Sequence, residues 1–506
     1  MDRGEGAWRP ALCAGGPFRF RRRTMILDGG SRKGGWWVLI GVLGAVSAEG
    51  SEAQAEAADG GILIEGVPHV VQQPDFCGEA CVAMYLQKLG HDVTQEHVFN
   101  RSGVDPALGR GCVTREMVRV LKRIGFEPGA VWYAIGATRS ASELDKQWKA
   151  LLADLRKGIP SIVCMHYDER PDATEHFRLI VGYDPGSDEA IYHEPARDNG
   201  AYQRMKRSRF VKCWPLKVER RRRMVIRMRL KAGTLSPGEP AAGFTNADYA
   251  QHIMDLRPRV PKDFTMIIQR PFVVIGDESP AVVRQRAERT VEWFVDRVRK
   301  LYFEKDPPEI YDIWLFKDET SYRKHTKSLF NEEPGTPFGY FSHTEGALIM
   351  NIATGGGTLC HEIVHAFVES NFPGCPAWFN EGLASLYEQC GERNGRVVGL
   401  TNWRLAGLKK QIRTGVLPSF KKLLSTTTQQ FYNMDTADNY AQARYLCYYL
   451  QEKGLLGDYY RAFCGSAKRD ACGYAALREV LSIEKEEEMA GFQKRWEKWV
   501  LRLRFP

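Results

Sequence analysis

The chain lacks an apolar run of membrane-spanning length. Residues 36–46 are apolar but fall short of the ~20 residues that a helical span needs. It also lacks internal repeats and low-complexity tracts, which removes solenoid and fibrous architectures. A broad excess of one charge is missing too. The formal charge is +9, but residues 1–48 hold eight Lys/Arg and three Asp/Glu, more than half of that surplus. Nothing global then favours a nucleic-acid partner, and no nucleic-acid fold signature with interleaved aromatics is present. What remains is ordinary globular protein, 43% hydrophobic and 26% charged, whose 506 residues suffice for two or three domains.

The N-terminus reads as an export signal. Arg32 and Lys33 precede the apolar run, and Val46-Ser47-Ala48 offers small residues for cleavage. Residues 1–60 are therefore expected to be leader, signal peptide and flexible stub, with an uncleaved anchor as the alternative. Export permits disulfides. Of twelve cysteines, Cys13 lies in the leader, and Cys375 with Cys390 and Cys464 with Cys472 are close enough in sequence to bridge.

The most informative motif is His361-Glu362-Ile363-Val364-His365. Residues four apart on a helix share a face, so His361 and His365 can offer two imidazole nitrogens to one metal ion. Glu362, one position round, is free to hold a water. Thr358 is a plausible N-cap, and Leu359, Ile363, Val364, Phe367 and Val368 supply an apolar face. Pro373-Gly374 should end this helix, and a second should run from near Pro376 to Gly391. Glu381, one turn inside it, would aim its carboxylate back at the imidazoles. Two His and one Glu leave a fourth position open, as a catalytic zinc requires. Tyr340, Tyr440 and Tyr445 are candidate oxyanion donors.

These residues, with the run Asn380-Glu381-Gly382-Leu383-Ala384, resemble the gluzincin metallopeptidases, in particular the compact peptidase MA-like domains. The resemblance implies Zn²⁺ held by His361, His365 and Glu381, with Glu362 as general base. Residues 346–351 look like the edge strand that pairs with substrate backbone in such folds.

A second constellation lies in residues 61–231. Residues 72–86 read as a loop running into a helix, with Cys77 at its N-terminus, where the dipole favours a thiolate. His176 opens a strand, and a turn at Asp184-Pro185-Gly186-Ser187 leads to a second strand ending near Glu194. The hairpin sets Glu194 opposite His176. Thiol, imidazole and carboxylate then follow in papain-like order. His166 and His193 are alternative imidazoles. This unit resembles the C39 peptidase-like branch of the papain fold. The resemblance implies Cys77 as nucleophile, His176 as base, Glu194 as orienter and Gln72 as oxyanion donor. Phe76 and Glu194 depart from that pattern, which has Asp before the nucleophile and Asp or Asn as orienter.

Residues 204–231 hold thirteen Lys/Arg and one acid, Glu219, and could meet an anionic surface. Residues 232–246 read as a linker, and 247–506 as the second domain. The expected fold class is α+β in two domains. A papain-like α+β domain is followed by a mainly helical, zincin-like α+β domain. The expected activity is exported, zinc-dependent hydrolysis of polypeptides or cell-wall peptides, with a possible second thiol activity. The alternatives are a single-activity zinc peptidase whose first domain only binds substrate, and a non-enzymatic scaffold.

Overall fold

The computed structural model describes residues 60–136, 139–170, 172–219, 222–238, 243–433 and 436–505. The proposed export signal lies outside these residues. Among them no helix is long and apolar enough to cross a membrane.

The N-terminal unit is built on an eight-stranded, antiparallel sheet. Its central order is Trp132–Ile135, Arg222–Arg229, Ser161–His166, Glu175–Asp184, Glu189–His193, Gln203–Lys206. The middle strands read as apolar runs because both faces are covered. On one face Cys164, Phe177, Leu179 and Val181 pack against the helices Cys77–Lys88, Gln95–Ser102 and Thr114–Ile124. On the other, Val163, Met165 and Ile180 pack under Trp148 and Leu151 of the helix Ser140–Leu155.

The C-terminal unit carries a five-stranded mixed sheet in the order Thr265–Gln269, Phe272–Gly276, Asp312–Phe316, Ala347–Asn351, Gly339–Ser342. Helices cover both faces, and most of them lie beyond residue 357. The strand expected at the edge, Ala347–Asn351, is interior. It pairs parallel with Asp312–Phe316 and antiparallel with Gly339–Ser342, which is the true edge. Its uninterrupted burial marks a strand flanked on both sides.

The segment expected to be a free linker is partly structured. Lys231–Ala232 pairs with Phe126–Glu127, and the Ser236 amide donates to Ile124. Helix Asn246–Leu256 then begins, capped by Thr245, whose side chain accepts from the Asp248 amide. This helix bridges the units. Ala247 and Ala250 enter the N-terminal core, while Tyr249, Ile253 and Leu256 enter the C-terminal one. Its Gln251 side chain donates to Pro74 in the loop before Cys77.

Candidate functional site

The 361–365 motif lies on the helix Gly357–Asn371. The helix starts one residue before Thr358, so Gly356, not Thr358, takes the cap position. Close packing selects glycine at 357, where a Cβ would collide with the backbone oxygen of Glu388. After the turn at Pro373-Gly374, helix Ala377–Leu386 runs back past the first. It ends at Leu386, before the expected stop, because Gly391 belongs to the strand Cys390–Arg393.

This pair of helices brings three side chains together. His361 Nε2 and His365 Nε2 are 3.0 Å apart, and Glu381 Oε2 lies 3.3 Å from the first and 3.6 Å from the second. The three candidate ligand atoms fall within 4.8 Å of one another. Glu381 Oε2 is buried and faces both imidazoles without a hydrogen bond of good geometry, a site that a cation between them would satisfy better. Two imidazoles and a carboxylate are a donor set that suits zinc, so these residues fit the metal that the sequence implies.

The groups behind them hold this geometry. His365 Nδ1–H donates to Asn380 Oδ1 at 2.9 Å. Tyr432 OH donates to Glu381 Oε1 at 2.6 Å, and Tyr440 also faces this carboxylate. Glu388 Oε1 approaches His361 Nδ1 at 3.4 Å and is gripped by Arg404 at 2.7 Å. Burial opposes the charge on His361, but Glu381 and Glu388 outweigh it and push the imidazolium up to about 10. Burial pushes the Glu362 carboxyl upward, against the lowering pull of both imidazoles. A strongly negative pocket favours a proton or a divalent cation.

Of the three tyrosines read from sequence, only Tyr440 faces this centre. Tyr340 OH donates to Glu332, and Tyr445 OH is committed to Asn402. Tyr432, Glu388 and Arg404 were missed as partners. Tyr432 comes from a helix 51 residues beyond Glu381, and no local pattern ties the two.

In the N-terminal unit, helix Cys77–Lys88 starts at the expected residue. The expected thiolate does not follow. The side chain is largely covered, and burial, with the charges of Glu79 and Asp75 adding to it, pushes the thiol up to about 12. The sulfur meets the backbone of Phe177, the residue after His176. His176 Nε2–H donates to Glu194 Oε1 at 2.5 Å, which leaves Nδ1 as the nitrogen for a base. Glu194 does not sit opposite His176 in the hairpin. The register pairs Leu179 with His193, so Glu194 follows that pair and grips both His176 and Arg178. Burial would raise the Glu194 carboxyl; the His176 hydrogen bond and the Arg178 charge bring it to about 2. Arg178 was missed because it reads as one more residue of an apolar strand.

Gln72 is tied by its backbone to Pro195, beside Glu194, and its side-chain oxygen is buried without a donor. The alternative imidazoles lie elsewhere. His166 faces the Ala173 carbonyl, and His193 is fully buried, with burial lowering it to about 4. Glu79, also fully buried, accepts from the Cys112 amide at 2.7 Å, and burial raises it to about 7.

Among the described residues, several cations of the basic segment pair with acids of its own unit. Arg204 pairs with Asp184, Lys206 with Glu189, Arg207 with Asp145, Lys212 with Glu169, Arg227 and Arg229 with Asp154, and Lys231 with Glu127. The eleven cysteines of the described residues are free thiols. Neither sequence-close pair is bridged; Cys390 instead meets Cys360 of the metal-motif helix. A cleft of about 470 Å³ at the junction between the units, lined by Gln73, His252, Asp312 and His343 among others, contains none of the proposed chemical groups.

No curated protein matches the chain. Among solved structures it is similar to the peptidase domain of Streptococcus ComA, a bifunctional ABC transporter involved in a quorum-sensing pathway. The identity is 17%, the TM-score is 0.22, and the match covers 33% of this chain and 98% of that one. Residues 64–219 match the model of the Peptidase_C39 like family, and this part of the chain is a C39 peptidase-like domain.

Proposed function

We propose that the chain is a peptidase whose main centre is a zinc site in the C-terminal unit. One observation carries this reading. Two imidazole nitrogens and a buried carboxylate oxygen converge within 4.8 Å. His361, His365 and Glu381 would hold the ion. Zinc, when bound, supplies a Lewis acid that polarises a carbonyl and makes water more acidic. Glu362, whose carboxyl feels both imidazoles, would take the proton of the attacking water and return it to the leaving amine. Tyr432 and Tyr440 keep the Glu381 carboxylate oriented. The edge strand Gly339–Ser342 offers backbone groups to an extended peptide.

A second centre is proposed in the C39-like domain, supported by the family match and the buried His176–Glu194 bond. There Cys77 would attack the carbonyl as His176 takes its proton. The neutral resting thiol favours proton transfer on substrate arrival over a standing thiolate–imidazolium pair. The substrate class proposed is polypeptide or cell-wall peptide, met outside the cytoplasm because of the leader read in residues 1–60.

Metal analysis of the purified full chain tests the main reading. One zinc per chain is expected, lost in Glu381→Gln. A chain that takes up no zinc from solution would overturn it.

A further inference from the structure

His361 faces the centre with Nε2, so the state of its other nitrogen decides whether Nε2 carries a lone pair. Nδ1 is buried, and the acceptor that faces it is Glu388 Oε1 at 3.4 Å. Glu388 is not a loose surface acid. Arg404 binds both of its oxygens, at 3.0 Å through Nε and 2.7 Å through a terminal nitrogen. Asn402 Nδ2 donates to Oε2 at 3.1 Å. Both charged side chains are covered, at 8% exposure for Glu388 and 9% for Arg404. The Glu388 backbone is itself pressed against Gly357, at the start of the metal-motif helix. A carboxylate fixed by bidentate arginine is rigid.

We propose that Glu388, held by Arg404 and Asn402, is a positioning residue that keeps His361 protonated at Nδ1 and therefore ready to ligate through Nε2. The inference rests on the zinc reading and deepens it. His365 obtains the same service from a neutral amide, Asn380. The two ligands are thus oriented by unlike partners, and the charged one makes its imidazole the stronger donor.

The test is zinc affinity of the metal-stripped full chain, measured by competition with a chromophoric chelator. Glu388→Gln removes the charge and keeps the volume. Glu388→Gln/Arg404→Met removes the buried pair together, so that no lone guanidinium is left to unfold the protein. Asp154→Asn, which breaks a similarly covered pair in the other unit, controls for general destabilisation. The expected result is zinc binding weakened about 10–100-fold in both Glu388 variants and unchanged in Asp154→Asn. Wild-type affinity in both Glu388 variants would overturn the positioning role and leave the zinc site standing. Absence of zinc binding in the wild type would overturn the zinc site and this role with it.

Discussion

His365 donates its Nδ1 proton to the side-chain oxygen of Asn380, fifteen residues away across the helical turn, at 2.9 Å. That bond fixes the tautomer of a side chain whose other nitrogen faces His361 and Glu381. The residue next to Glu381 thereby sets the state of an imidazole on the preceding helix.

Asn380→Ala should therefore weaken zinc binding about 10–100-fold while the apo fold persists, because His365 is freed to protonate either nitrogen. Chelator competition measures the affinity, and far-UV dichroism of the metal-free protein checks the fold. Undiminished affinity would show that the Asn380 bond is incidental.

Cys77 should rest as a neutral thiol and react only through a small thiolate fraction that grows with pH. With its value pushed up to about 12, alkylation by iodoacetamide should accelerate steadily through roughly pH 8–11. Peptide mass mapping would follow that residue alone. A rate that levels off below neutral pH would reveal an activated thiolate and contradict the burial argument.

Glu79 should make stability fall as pH rises. Its carboxyl is raised from 4.5 to about 7 in the folded chain. A raised acid contributes stability fully below its unfolded value and loses it as pH climbs through the folded one. The loss is ~3 kcal/mol at most. Glu79→Gln, which can still accept from the Cys112 amide, should lack this slope. Urea unfolding at roughly pH 5 and roughly pH 8.5 measures the difference between the two proteins. A difference independent of pH would contradict the assignment.

Much of this architecture was legible because local rules act alone there. The four-residue spacing of His361 and His365 and the turn at Pro373-Gly374 are short-range, and helix geometry delivers both imidazoles to one point. The Asp184 turn likewise carries its own mechanism, as the Asp184 side chain accepts from the amides of Gly186 and Ser187. What the sequence hid depends on distant packing. Strand order depends on which neighbours arrive, so the edge position expected of Ala347–Asn351 falls to Gly339–Ser342. Tyr432 and Arg404 reach the centre from helices that share no periodicity with it. The state of the Cys77 thiol depends on distant packing in the same way. A helix terminus is local, but the burial that overrides its dipole comes from the whole domain. Arg178 sits in an apolar strand, where only three-dimensional register reveals that Glu194 is its partner.

Peptide hydrolysis by wild type and Glu362→Gln, each assayed with its zinc content, tests the central claim most directly. The account predicts equal metal in both proteins and a fall of about 10²–10⁴-fold in chelator-sensitive turnover for the variant. Full turnover in a zinc-loaded Glu362→Gln protein would contradict it.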